Sequence, residues 1–329
     1  MIILDELTAG KSQPQVAVFI IWSRKVGKLY LEKGISQLVS SFIEAGSPSV
    51  KEQTIEERRQ GYRASVQLAG EKESVYQVED KEIDGATLRI FKPSDECDLP
   101  VVIYFHGGCF VSGDFETHDQ QLRKLANLSG SIIVAVKYRL APEHSFPAAH
   151  DDALHASQVI FDNCKCWGGT PENIILAGDS AGGHICLITS LRLRDKADWQ
   201  PTKQVLIYPM LDATAASQSY INNGEQYIIT RDTLLTGFDM YLDGLPRTHP
   251  EASPLYRKDL SGLPETHILT AEFDPLLDEG ELLYRNLISA GVNTQCRRYL
   301  GVIHGFFQLS GVSQTARESI KHVANIIRG

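Results

Sequence analysis

The sequence predicts an α/β fold, a mostly parallel sheet with helices on both faces, and three observations carry that expectation. From Val101 onward, short and almost continuously apolar runs alternate with longer stretches whose apolar residues recur every three or four positions. Strands apolar on both faces belong to a sheet covered on both sides, as in parallel α/β proteins. Upstream, two runs with a more alternating pattern flank Asp84-Gly85, a hairpin-type dipeptide. The chain is also long, 329 residues, where an ordinary domain takes about 150, so it holds two domains or one large unit with an addition.

In chain order, Val75 to Ile83 and Ala86 to Phe91 read as antiparallel strands that open the sheet. The apolar runs Val101 to Phe105, Ile132 to Val136, Ile174 to Ala177, Val205 to Tyr208 and His267 to Ala271 follow, and Gln295 to Leu300 closes a sheet of eight strands. Helical stripes lie between them: Leu122, Leu125, Ala126 and Ser129; Ala149, Ala153, Ala156 and Ile160; Ile185, Ile188 and Leu191; Leu283, Leu287 and Ala290. The last stripe, Val312, Ala316, Ile320, Val323 and Ile327, packs one face of a final helix on the sheet.

Two stretches break the alternation. Residues 1–72 read as helices (Val16 to Tyr30, Ile35 to Glu44, Ile55 to Leu68) before any strand begins, and residues 212–249 hold a helical pattern around Leu234 to Leu242. A stretch as long as the second, between two sheet elements, is usually functional, often a lid.

Lys and Arg number 32 against 41 Asp and Glu, a net charge of −9 with the signs interspersed, which argues against a nucleic-acid partner. The apolar run Val16 to Trp22 is too short to span a bilayer and has no charged segment ahead of it, so no stable membrane insertion and a cytoplasmic location are expected. The six cysteines show no framework spacing, which fits a reducing compartment; the pair Cys164 and Cys166 lacks further metal ligands nearby, so no metal site is expected.

The strongest chemical signal is Gly178-Asp179-Ser180-Ala181-Gly182-Gly183, a G-x-S-x-G directly after a strand and before a helix. Glycines two residues either side of Ser180 remove Cβ atoms that would crowd a tight strand-to-helix turn, and that turn exposes the hydroxyl at a helix N-terminus. A serine nucleophile needs a base. Of the histidines that follow it, His184 is on the nucleophile's own helix, His249 in the extra segment, His267 in a strand and His322 in the last helix. His304 lies in a loop at a strand's carboxyl end. The acid that holds the imidazole is Asp274, directly after the strand ending at Ala271, with Asp278 its main rival and Glu272 a weaker one. His106-Gly107-Gly108-Cys109 leaves the strand ending at Phe105 as a glycine-rich turn, and its N–H groups together with that of Ala181 suit an oxyanion hole, each donor contributing about 3 kcal/mol.

With these pieces in the order oxyanion turn, serine, aspartate, histidine, residues 76–308 resemble the hormone-sensitive-lipase-like esterases, bacterial family IV of the α/β-hydrolase superfamily. The resemblance rests on Tyr138-Arg139-Leu140-Ala141-Pro142-Glu143-His144 with Phe146-Pro147-Ala148-Ala149, on Gly178 to Gly183, on Asp274-Pro275-Leu276 through Gly280, and on His304-Gly305-Phe306. It implies the α/β-hydrolase fold, with residues 73–211 and 250–329 as catalytic core and residues 1–72 and 212–249 as a helical cap. It also implies Ser180 as nucleophile, His304 as base, Asp274 rather than Asp278 as acid, and backbone donors at Gly108, Cys109 and Ala181. Cys109 stands where the family usually has a third glycine, so a side chain projects near the acyl pocket or its wall. Arg139 and Glu143 are expected in a buried ionic contact, and Asp179 as a supporting rather than a reacting group.

The implied activity is cofactor-free and metal-independent hydrolysis of small-molecule, short-chain acyl esters through an acyl-enzyme. Amides, N-acyl or O-acetyl groups would suit the same triad. Plant gibberellin receptors resemble this family as non-catalytic binders, but they lack the catalytic histidine that His304 supplies here. The exposed edge strand near Gln295 to Leu300 leaves room for a homodimer.

Overall fold

Eight strands form one sheet in the computed structural model, among the described residues 30–46 and 49–329. They are β1 (Gln77–Ile83), β2 (Ala86–Lys92), β3 (Leu99–Phe105), β4 (Ile132–Val136), β5 (Gly169–Asp179), β6 (Lys203–Ile207), β7 (Glu265–Phe273) and β8 (Thr294–Ile303), in the order β1-β2-β4-β3-β5-β6-β7-β8. β1 and β2 form the antiparallel hairpin around Asp84-Gly85, and β2 meets β4 antiparallel. Every later pairing is parallel.

The continuous apolar runs have the predicted cause. Along β3, Val101, Ile103 and Phe105 pack into one core layer and Val102 and Tyr104 into the other, all with no exposed surface. The first layer is completed by α4 (Ala148–Asn163), α5 (Ala181–Lys196) and α8 (Leu277–Ser289), the second by α3 (Phe115–Ser129) and α9 (Gln314–Arg328). α5 is buried on every side from Ala181 to Leu193, so it shows little one-sided stripe. α9 begins two residues later than its stripe suggested. Ser313 caps it by accepting from the Ala316 N–H at 3.0 Å, and Val312 lies outside, partly exposed.

Of the helices expected before the strands, α1 (Lys33–Ala45) and α2 (Ile55–Ala64, continued as a tighter turn to Ala69) are present; the one over Val16 to Tyr30 lies outside the described residues apart from Tyr30. Thr54 and Glu57 start α2 with a reciprocal capping box. The later stretch supplies α6 (Gln218–Asn223) and α7 (Arg231–Leu242). The two stretches meet where Arg58 of α2 donates to the Thr233 carbonyl and to Thr236 Oγ1 of α7. Leu31 to Gly329 pack as one unit. No described helix is long and apolar enough to cross a membrane.

The expected ionic contact between Arg139 and Glu143 does not form. Arg139 pairs with Asp152 at 2.7 Å and Glu143 with Arg59 at 2.7 Å, and both side chains are about half exposed. The Arg59 guanidinium holds the Glu143 carboxyl down at about 2. Each charge thus ties its loop to a different helix, α4 in one case and α2 in the other.

Candidate active site

Strand register brings the chemistry together. Phe105 of β3 is level with Gly178 of β5, so the turn His106-Gly107-Gly108-Cys109 and the elbow around Ser180 leave neighbouring strands side by side. Phe273 of β7 is level with Ile303 of β8, so Asp274 and His304 are each the first residue beyond adjacent strand ends. All emerge at the carboxyl edge of the sheet, where parallel α/β folds place their sites.

The elbow has the strain its sequence implies. Ser180 has φ 54° and ψ −117°, a conformation costly for a residue with a side chain. Its N–H donates to the Ile207 carbonyl at 2.8 Å, and its own carbonyl accepts from Met210 at 3.1 Å, which clamps the turn to the end of β6. A Cβ on Gly178 would lie 2.3 Å from the Gly182 carbonyl oxygen, and one on Gly182 would lie 1.9 Å from that of Phe105.

His304 Nε2 is 2.9 Å from Ser180 Oγ, and its Nδ1 is 2.8 Å from Asp274 Oδ2. With Nδ1–H directed to the carboxylate, Nε2 is free to accept the serine hydroxyl. Asp274 is fully buried, and its other oxygen accepts from the Leu276 N–H at 2.7 Å. The Tyr208 ring lies against His304 with centroids 4.8 Å apart.

The rival groups are engaged elsewhere. Asp278 accepts from the Ser219 N–H at 2.8 Å, and Glu272 from the Gly301 N–H at 2.8 Å. His184 is spanned by the carbonyls of Met210 and Glu251, at 2.8 and 2.9 Å, and burial pushes its pKa down to about 4. His267 bonds Glu265 at 2.7 Å, and His322 stays on α9. His249 packs its ring against Phe146.

Ala181 is the first residue of α5, so its N–H has no intrahelical acceptor. Gly108 and Cys109 have φ 128° and 54°. Their turn is closed by bonds from the Val111 and Ser112 N–H groups to the Gly108 carbonyl, and the N–H groups of 108 and 109 have no acceptor among the described residues. The Cys109 side chain is buried against α7, where a Cβ on Gly237 would come 2.7 Å from its own. Burial pushes the thiol up to about 11, against the pull of the Arg58 guanidinium. Cys109 thus forms part of the contact between the turn and α7.

Sequence reasoning placed Asp179 in a supporting role but missed its partners. Its carboxylate accepts from Tyr104 Oη (2.9 Å) and from the Gly107 N–H (3.0 Å), and its Oδ1 lies 3.0 Å from His118 Nε2. Gln308 Nε2 donates to Asp179 Oδ2 at 3.2 Å and to Tyr62 Oη at 2.6 Å. Burial works to raise the Asp179 carboxyl, but His118 and Tyr104 hold it below the usual range. The ion therefore pins the turn from His106 to Cys109 to the elbow and ties both to α2. His106, at the start of the turn, is held neutral: burial, then the neighbouring His118, push it down to about 4. His118 is the fourth residue of a capped helix, a place that by itself says nothing of function.

Among the described residues no group of three or more His, Cys, Asp or Glu could hold a metal ion. Cys164 is buried and Cys166 exposed, and neither is in a disulfide.

Residues 102–308 match a model of the alpha/beta hydrolase fold. The chain is 36% identical over 244 residues to the carboxylesterase NlhH of Mycobacterium tuberculosis, covering 72% of this chain and 76% of that one. It is 32% identical over 283 residues to the ethyl acetate hydrolase of Pseudomonas putida, covering 83% and 89%. Among solved structures, the Pyrobaculum calidifontis esterase superposes with a TM-score of 0.83 at 37% identity, over 91% of this chain and 98% of that one. An alpha/beta hydrolase enzyme from the metagenome of Lake Arreo, Spain, does so with a TM-score of 0.86 at 32% identity, over the same shares. The chain belongs to the α/β-hydrolase family, in its hormone-sensitive-lipase-like branch of carboxylic ester hydrolases.

Proposed function

We propose that this hydrolase cleaves short-chain acyl esters through an acyl-enzyme on Ser180. The observation that carries the reading is the continuous chain from Asp274 through His304 to Ser180 Oγ, beside N–H groups of Gly108, Cys109 and Ala181 that lack partners among the described residues. His304 Nε2 takes the hydroxyl proton as Ser180 Oγ attacks the ester carbonyl, and Asp274 stabilises the imidazolium that forms. The carbonyl oxygen, now negative, rests on the three N–H groups. The tetrahedral intermediate collapses, His304 returns the proton to the leaving alkoxide, and the alcohol departs. Water then loses a proton to His304 as it attacks the acyl-enzyme, and the acid is released with Ser180 restored.

A cap to which α2 and residues 212–249 contribute closes the acyl side. The contacts of Arg58 with α7, and of Gly237 with Cys109, support it, since they leave α7 directly against the oxyanion turn. A wall so near the reacting carbon favours small acyl groups, and the ethyl acetate hydrolase among the relatives is named for one. A series of 4-nitrophenyl esters from acetyl to dodecanoyl tests this. The expected kcat/KM peaks at about six carbons or fewer and falls at least about tenfold by dodecanoyl, as a walled pocket requires. A maximum at the long-chain end contradicts it. The matched anilides, also cleavable by such a triad, are expected to react far more slowly.

A further inference from the structure

Two arginines are buried among the described residues, Arg58 and Arg192, at 9% and 8% exposed. Arg192 lies between two carboxylates, Asp151 and Glu251, each at 2.7 Å. Arg58 has none. Its guanidinium donates only to the Thr236 hydroxyl and the Thr233 carbonyl, both at 3.2 Å, and no acidic group among the described residues offsets its burial. An arginine cannot escape by losing its proton, so this is a buried cation held by neutral acceptors through N–H···O bonds at the long end of the range. α7 offers no relief, because Thr233 and Thr236 sit in its N-terminal half, the positive end of the helix dipole.

Its location makes the missing charge informative. Arg58 is the charged group that acts on the Cys109 thiol, and the backbone N–H of Cys109 is one of the oxyanion donors. Thr233 is one helical turn before Gly237, the residue in contact with Cys109. Tyr62, one turn beyond Arg58 on the same face of α2, reaches Gln308 just past His304. That face of α2 therefore packs on the residues that support the elbow and its neighbouring turn, and Arg58 stands between α2 and α7 beside them.

We propose that Arg58 binds a carboxylate on the substrate, so that the preferred esters carry a negative charge at the end remote from the scissile bond. The proposal rests on the ester-hydrolase reading and names the substrate class for that site. Arg58 has five N–H donors, of which the two threonines take one each, so donors remain for a charge-assisted pair with a carboxylate. The bound anion would supply the compensation the fold omits.

The test compares esters that differ only in charge: monomethyl glutarate against methyl glutaramate for the acyl arm, and 4-acetoxybutanoate against 4-acetoxybutanamide for the alcohol arm. In one arm the charged ester is expected to have a kcat/KM at least about tenfold above its neutral partner. In Arg58→Gln that ratio is expected to fall towards one, and in Arg58→Lys to be partly restored. Inhibition of 4-nitrophenyl butyrate hydrolysis by glutarate, at least about tenfold stronger than by glutaramide, reads the same site in the unaltered enzyme should the variants not fold. Ratios of one or less in both arms, a ratio unmoved in folded Arg58→Gln, or equal inhibition by the two acids' derivatives would overturn the carboxylate assignment while leaving ester hydrolysis intact. A folded enzyme that cleaves neither the charged nor the neutral esters would overturn the ester reading itself.

Discussion

Ser180→Ala is expected to lower kcat for 4-nitrophenyl butyrate by at least about 10⁴-fold while the protein remains folded. The size follows from the chemistry. Removing Oγ leaves His304 and Asp274 hydrogen-bonded but with no atom to form the acyl-enzyme, so only the oxyanion donors and substrate binding are left. The fold should tolerate the change, because Ser180 holds its strained backbone through bonds of its N–H and carbonyl to Ile207 and Met210, and alanine keeps both. Steady-state kinetics with a circular dichroism spectrum and a thermal midpoint on the same sample check this. Activity within a few-fold of the unaltered enzyme would remove Ser180 from the mechanism.

The second large effect concerns stability. Gly182→Ala places a methyl group 1.9 Å from the Phe105 carbonyl oxygen and 2.7 Å from that of His106. Neither neighbour can yield easily, since Phe105 is fully buried in β3 and paired with both β4 and β5. The helix must move away from the sheet, so the expected loss exceeds about 4 kcal/mol, and the oxyanion turn is displaced with it. Gly61→Ala, the same substitution on the exposed face of α2 with nothing within 4 Å, is expected to gain about 0.5–1 kcal/mol from helix propensity. Urea unfolding of both variants measures the contrast. Equal stabilities would mean that the close approach of elbow and strand is not real.

Much of this was legible because the informative residues are local. The apolar runs mark strands buried on both faces, and the two glycines flanking Ser180 mark a turn that only they can make. Chain order and strand ends pointed to Ser180 and His304, the family resemblance chose Asp274 over Asp278, and the structure has the three side chains within hydrogen-bonding distance. Strand limits were read less well: β5 runs from Gly169 to Asp179 rather than from Ile174 to Ala177. β8 continues to Ile303, because an irregular register between Ala271 and Phe273 carries the pairing past Leu300. His304 therefore follows the strand directly instead of lying within a longer loop.

What could not be read was pairing across the fold. Arg139 and Glu143 are close in sequence and suggested a mutual ion pair, yet their partners come from α4 and α2. The anchoring of Asp179 by His118, Gln308 and Tyr62 joins residues far apart in the chain, and no local pattern in any of them points to the others. Nothing in the strongly polar sequence of α2 marks Arg58; only its burial, with no carboxylate among the described residues beside it, distinguishes it.

The central claim is that Ser180 forms a covalent acyl-enzyme, and peptide mapping by mass spectrometry after reaction with diethyl 4-nitrophenyl phosphate tests it most directly. The folded enzyme is expected to carry one diethylphosphoryl group, on the peptide containing Ser180, with ester turnover lost in proportion. Denatured protein and Ser180→Ala are expected to remain unlabelled there. An enzyme that loses activity with the group on another residue, or that stays unlabelled at Ser180 while turning over esters, would contradict the account.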